Sequence, residues 1–140
     1  MANLAARVNA ELENIKQVLQ QLPPAEKLAG LSQLELAGVA ALLHNFYNGI
    51  ENILKQIVRE RGLTIPGTSN WHRDLLDLAV KNKVIDAAMA ESLSQYLGFR
   101  HFFSHGYALD LDHEKMRPLV KSVKKFFSGF KKTVERISVK

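Results

Sequence analysis

Apolar residues recur along this chain at three- and four-residue steps, with no segment of sustained alternation, and that period predicts helices throughout. Leu4, Val8, Leu12, Ile15, Val18, Leu19 and Leu22 make the first stripe, which Pro23-Pro24 stops because proline has no N–H to donate and clashes with the preceding turn. Ser32-Gln-Leu-Glu35 has the form of a capping box, inside or at the start of a long second helix carrying Val39, Leu42, Leu43, Phe46, Ile50, Ile53 and Ile57. Gly62 ends that helix, and Leu63 to Thr68, with Pro66-Gly67, reads as a loop. Ser69 or Asn70 then caps a short third helix containing Trp71, Leu75, Leu76 and Ala79. A fourth helix is expected from Asp86 to His105. A fifth is expected from Asp112 to Ile137, with a broad stripe of Met116, Leu119, Val120, Val123, Phe126, Phe127, Phe130, Val134 and Ile137. Short connections between long amphipathic helices favour antiparallel neighbours, so the predicted fold class is all-α: an antiparallel four-helix up-and-down bundle with an additional short helix. Without repeats or low-complexity tracts, residues 1–140 are expected to form one domain.

Composition changes this picture little. At 140 residues, 46% apolar and 24% charged, the chain is long enough for a true core. The absence of cysteine removes disulfides, thiolate nucleophiles and zinc fingers. No apolar run is long enough to span a bilayer, and the first residues, Met1 to Glu11, lack the apolar stretch of a signal peptide. The expectation is a cytoplasmic protein with no membrane partner. Charge is more informative in its distribution than in its sum of +5: from His113 onward nine basic residues face Glu114 and Glu135, giving +7, which leaves −2 for the preceding part. Such a basic last helix suits an RNA backbone or an acidic partner, and equally suits a solvated helix face.

The segment Phe99-Arg-His-Phe-Phe-Ser-His-Gly-Tyr107 concentrates the candidate chemistry. Arg100 is a permanent cation whose planar fork fits two phosphate oxygens, whereas His105 changes charge near neutrality and can move protons. Five residues along an ideal helix rotate by about 140° and rise about 7.5 Å, so Arg100 and His105 do not share a face unless the helix ends or opens between them. Gly106 is the residue type that ends helices, which would set His105 near the last helical position, where the helix dipole favours imidazolium and biases it toward acting as an acid. Cleavage by an RNA 2′-hydroxyl needs a base as well as an acid, so the second proton carrier is either the same histidine of a second chain or His101. His101 and His105 share a helix face at i and i+4, but the zincin pattern needs Glu where Phe102 stands, and no metal site is expected. Phe99, Phe102 and Phe103 read as core, His44 and His72 as isolated structural or surface residues, and Asp110 and Asp112 as cap or solvent residues.

Arg100, His101, His105 and Tyr107 together form R-x4-H-x-Y with a polar residue after the arginine, and this string resembles the motif of HEPN-domain toxins of the HepT type. Trp71-His-Arg-Asp-Leu-Leu76 also looks like a segment of HepT-type sequences, in which Trp71 anchors the short helix. The resemblance implies a HEPN-like helical bundle that acts as a homodimer with its motifs facing across a cleft. It implies a metal-independent, cofactor-free endoribonuclease in which Arg100 binds and stabilises the phosphorane, His105 is the acid/base and His101 is auxiliary. It further implies a partner, an MNT-family nucleotidyltransferase antitoxin, that silences the enzyme by AMPylation of Tyr107. The alternative is a non-catalytic HEPN module that binds and regulates a nucleotidyltransferase partner or a nucleotide, and a third reading is a plain helical dimerisation domain.

Overall fold

A computed structural model describes residues 3–104 and 111–138, which form five α-helices and one 3₁₀ turn, with no strand among the described residues. The helices are α1 (Leu4–Gln20), α2 (Gln33–Glu60), α3 (Trp71–Lys81), α4 (Ala87–Ser104) and α5 (His113–Ser138). Their starts follow side-chain chemistry. Asn3 Oδ1 accepts the Ala6 N–H at 2.8 Å, and Asp86 Oδ1 accepts that of Met89 at 2.7 Å. Ser32 and Glu35 close both arms of the capping box, at 3.1 and 3.0 Å. Asp112 Oδ1 accepts the Glu114 N–H at 2.9 Å.

The start of α3 departs from the expected cap. Asn70 is the N-cap residue, but its backbone (φ −104°, ψ 23°) is not extended, and its side chain makes no capping bond. Thr68 serves instead: its hydroxyl donates to Asp74 at 3.0 Å and accepts from the Asn70 N–H at 3.3 Å. The 3₁₀ turn over Ala25–Gly30 was not legible either. Six residues are too few to show a helical period, yet the turn buries Leu28 completely and packs against α5.

The four long helices form a closed ring, with α1 against α2, α2 against α4, α4 against α5 and α5 against α1, while α3 lies on α2 and α4. Neighbours run antiparallel. Arg7 near the start of α1 bonds Gln56 and Glu60 at the end of α2, and Asn48 and His44 of α2 meet Arg100 and Phe103 of α4 in reversed order. The buried apolar residues of all five helices join in one cluster centred on α2. The expected helical bundle with one additional short helix is the observed fold. Phe99 and Phe103 are partly buried against the core as expected, but Phe102 is 40% exposed, because its position on α4 points away from α2.

Two contacts set the packing distances. Gly49 of α2 lies so close to Ile15 of α1 that an added Cβ would fall 2.5 Å from Ile15 Cγ1, and Ile15 is itself buried with no room to retreat. At the other end, Gln33 holds the chain where it re-enters before α5. Its amide donates to the Leu111 carbonyl at 2.9 Å and accepts the Leu111 N–H at 3.1 Å.

The Gly49 contact makes a signed prediction. Alanine gains about 1 kcal/mol over glycine in a helix, and overpacking a filled core costs about 1–3 kcal/mol. Gly38→Ala, on the open face of the same helix, should therefore raise the thermal midpoint by a few degrees, while Gly49→Ala should lower it. Scanning calorimetry of both variants checks the opposite signs.

Candidate functional site

Helix α2 is buried over most of its surface, and its apolar run is interrupted by His44, Tyr47, Asn48 and Glu51. These positions are three and four apart, so they form one polar stripe along a single face. That face looks toward α3 and α4, and each of its members meets a partner or neighbour there.

Arg100 on α4 is half-buried, and its Nε donates to Asn48 Oδ1 at 2.9 Å. The bond fixes the stem of the side chain to a neutral partner. No carboxylate pairs with Arg100 among the described residues, so within that part of the chain its two Nη groups keep their donors for an anion. Helix α4 continues past Arg100 to Ser104, whose hydroxyl donates back to the Arg100 carbonyl at 2.7 Å. His101 is described and exposed on the outer side of α4. His105, Gly106, Tyr107 and Asp110 lie outside the described residues.

His44 and His72 are not isolated. The His44 ring lies 5.8 Å from that of Phe103, and its buried Nδ1 has no hydrogen-bond partner among the described residues. Burial first, and then the Arg100 charge, push its pKa below the ordinary 6.5, with Glu51 opposing. His72 at the start of α3 meets Glu51, with Nδ1 to Oε2 at 2.6 Å, and the Glu51 side chain is only 4% exposed. A carboxylate facing a ring nitrogen at this distance favours the tautomer in which Nδ1 of His72 carries the N–H and donates. The indole of Trp71 stacks on the imidazole, centroids 3.7 Å apart, and Lys55 places its ammonium 4.4 Å from the indole centroid. Trp71 packs against the core as expected.

Tyr47 sits between these groups. Its hydroxyl is buried, lies within the field of Glu51 without meeting hydrogen-bond geometry, and is held protonated by burial and then by the Glu51 charge, against Arg73 and Arg100. Arg73 is exposed and donates to Ser94 of α4 at 2.6 Å, tying α3 to α4. The polar spacing on α2 was visible in the sequence as residues 44, 48 and 51 breaking an apolar run. Their partners from α3 and α4 were not.

The remaining candidates are quickly placed. Asp112 caps α5 as expected. The described basic side chains of α5, Lys115, Arg117, Lys121, Lys124, Lys125, Lys131, Lys132 and Arg136, are exposed on its outer face. Among the described residues no group of three or more acidic or histidine side chains could hold a metal ion, and no helix is long and apolar enough to cross a membrane.

The depressed His44 gives a pH test. As pH falls through 6.5 the unfolded chain takes up this proton before the folded chain does, so His44 makes stability decline with acidification, beginning near 6.5 and ending once the folded imidazole is also protonated. His44→Leu should remove that contribution. Urea midpoints measured from about pH 7.5 to about pH 5.5 should fall less steeply in the variant than in the parent.

A family model described as HepT-like protein matches residues 38–139. No curated protein and no solved structure matches. The matched span covers well over half of the chain, from Gly38 in α2 through α3 and α4 into the last helix, and the chain belongs to the HepT-like family.

Proposed function

We propose that this HepT-like chain is the toxin of a HEPN/MNT toxin–antitoxin pair, a metal-independent endoribonuclease silenced by AMPylation of Tyr107. The observation that carries this reading is Arg100 held by neutral Asn48 at the end of α4, its Nη edge unspent, five residues before His105. A guanidinium so placed can take two non-bridging oxygens of a phosphodiester and hold the charge that grows on them in the phosphorane. The RNA 2′-oxygen attacks phosphorus and gives up its proton to a base, and the P–O5′ bond breaks as an acid protonates the departing oxygen. The products are a 2′,3′-cyclic phosphate and a 5′-hydroxyl. His105 supplies one of these proton transfers, with His101 auxiliary, and a homodimer supplies a second His105.

Control follows from the same charges. An MNT-type nucleotidyltransferase joins the Tyr107 phenol oxygen to the α-phosphorus of ATP and releases pyrophosphate. The new phosphodiester, two residues from His105, then competes for Arg100 and repels the RNA backbone.

RNA cleavage should persist in EDTA and leave cyclic or 3′-phosphate ends. It should fall by about 10²-fold or more in Arg100→Ala and in His105→Ala, and less in His101→Ala. Full cleavage by His105→Ala protein with an intact circular dichroism spectrum removes the mechanism. Loss of all cleavage with retained nucleotidyltransferase binding leaves a regulatory module.

Co-expression with the nucleotidyltransferase should add adenylyl groups that peptide mass spectrometry locates on Tyr107. Tyr107→Phe should stay toxic and resist silencing.

A further inference from the structure

Glu51 is a carboxylate with 3% exposure in the middle of α2, and the ribonuclease reading above assigns it no task. Burial of a charge is costly unless it is paired. Its pairing here is specific: Oε2 lies 2.6 Å from His72 Nδ1, so the imidazole is orientated and its other nitrogen, Nε2, is the one left to accept a proton. The His72 side chain keeps 22% of its surface in solvent, so the pair has a buried end and an open end. A carboxylate behind an imidazole that faces outward is the arrangement that fixes a tautomer and stabilises imidazolium during proton transfer.

The pair stands next to the phosphate-binding arginine. Asn48, which seats Arg100, and Glu51, which seats His72, are three residues apart on α2 and so neighbours on one face, with Cβ atoms about 5–6 Å apart. The Tyr47 hydroxyl experiences Glu51, Arg73 and Arg100 together, which puts all three charges in one neighbourhood. The rings around His72 limit its movement, since Trp71 stacks on it and Lys55 holds Trp71.

We infer that His72, orientated by Glu51, is a proton carrier of the same site as Arg100, taking the 2′-hydroxyl proton of RNA on Nε2. The inference rests on the ribonuclease reading and puts a base within the chain that carries Arg100 in the place given there to the second His105, leaving His105 as the acid. When O2′ bonds to phosphorus, its proton passes to Nε2, and the imidazolium so formed is held by the Glu51 carboxylate until it returns the proton to water. The charged and titratable groups around the pair are His44, Tyr47 and Lys55 from α2, Arg73 from α3 and Arg100 from α4, with Asp74 of α3 engaged by Thr68.

The test uses full-length unmodified protein, total cellular RNA and a mixed-sequence fluorophore–quencher oligoribonucleotide. His72→Gln keeps a donor for Glu51 and should lower kcat by on the order of 10²-fold or more, with little change in KM, and remove one limb of the pH–rate profile. Glu51→Gln keeps the imidazole and should cost less. In the parent protein, a 2′-deoxy oligonucleotide of the same sequence should shift the His72 imidazole nitrogen resonances, a readout that needs no variant to fold. If Arg100→Ala abolishes cleavage while His72→Gln keeps the parental rate and profile, or if the deoxy oligonucleotide leaves the His72 resonances in place, the pair only ties α3 to α2 and the inference fails alone. If the parent cleaves neither substrate, the ribonuclease reading fails and takes the inference with it.

Discussion

The burial of Glu51 constrains more of this molecule than any other single interaction. Leaving such a carboxylate without its partner costs on the order of 3–5 kcal/mol, so whatever brings His72 to it must be held firmly. The chain after Gly62, the Thr68–Asp74 staple, the Trp71 stack and the Arg73–Ser94 bond all serve to seat α3 where His72 reaches α2. A short helix of eleven residues has little stability of its own. It is held by what it buries and by this pair.

The bundle around α2 supplies the rigidity the site needs. Gly49 lets α1 approach so closely that Ile15 fills the space a side chain would take, on the face of α2 away from the polar stripe. One side of the helix is therefore fixed by apolar contact at van der Waals distance, and the other is free to carry polar groups into the gap between α3 and α4. Helix α4 is held on its other sides by Tyr96, buried beside Phe46 of α2, which donates its hydroxyl to the Leu119 carbonyl of α5 at 2.9 Å. Arg100, one turn further along α4, thus arrives at Asn48 on a helix pinned on both sides.

Much of this was legible in the sequence, for physical reasons that differ by element. The long helices were read almost to the residue because their apolar stripes repeat over several turns and their starts carry Ser32, Asp86 and Asp112, whose side chains can cap only from those places. The 3₁₀ turn was missed because Leu28 has no periodic neighbours. Arg100 stood out by its motif, whereas His44 and His72 looked solitary because their partners are distant in sequence: Phe103 lies on α4, and Glu51 lies across the α2–α3 connection. Phe102 was assigned to the core with Phe99 and Phe103, whose helix face it shares at three- and four-residue steps, but it lies at the edge of that face and is 40% exposed, and spacing alone does not show where a buried face ends.

The choice of partners along the stripe follows a charge logic. Arg100 is seated by a neutral amide, while the carboxylate one turn away is taken up by His72. Were the two interchanged, with a carboxylate at the Asn48 position, the guanidinium would spend its charge and its forked donors on a neighbour, and an incoming phosphate would have to displace that neighbour before binding. Asn48 orders the arginine through one Nε bond and costs the site none of its attraction for anions. Glu51, kept from Arg100 by its bond to His72, instead supports a group that can lose and regain a proton. Arg100 of α4 and His72 of α3 are thus seated by neighbouring residues of α2 without being neutralised by each other's partner, an arrangement that suits the proposed phosphodiester-cleaving site.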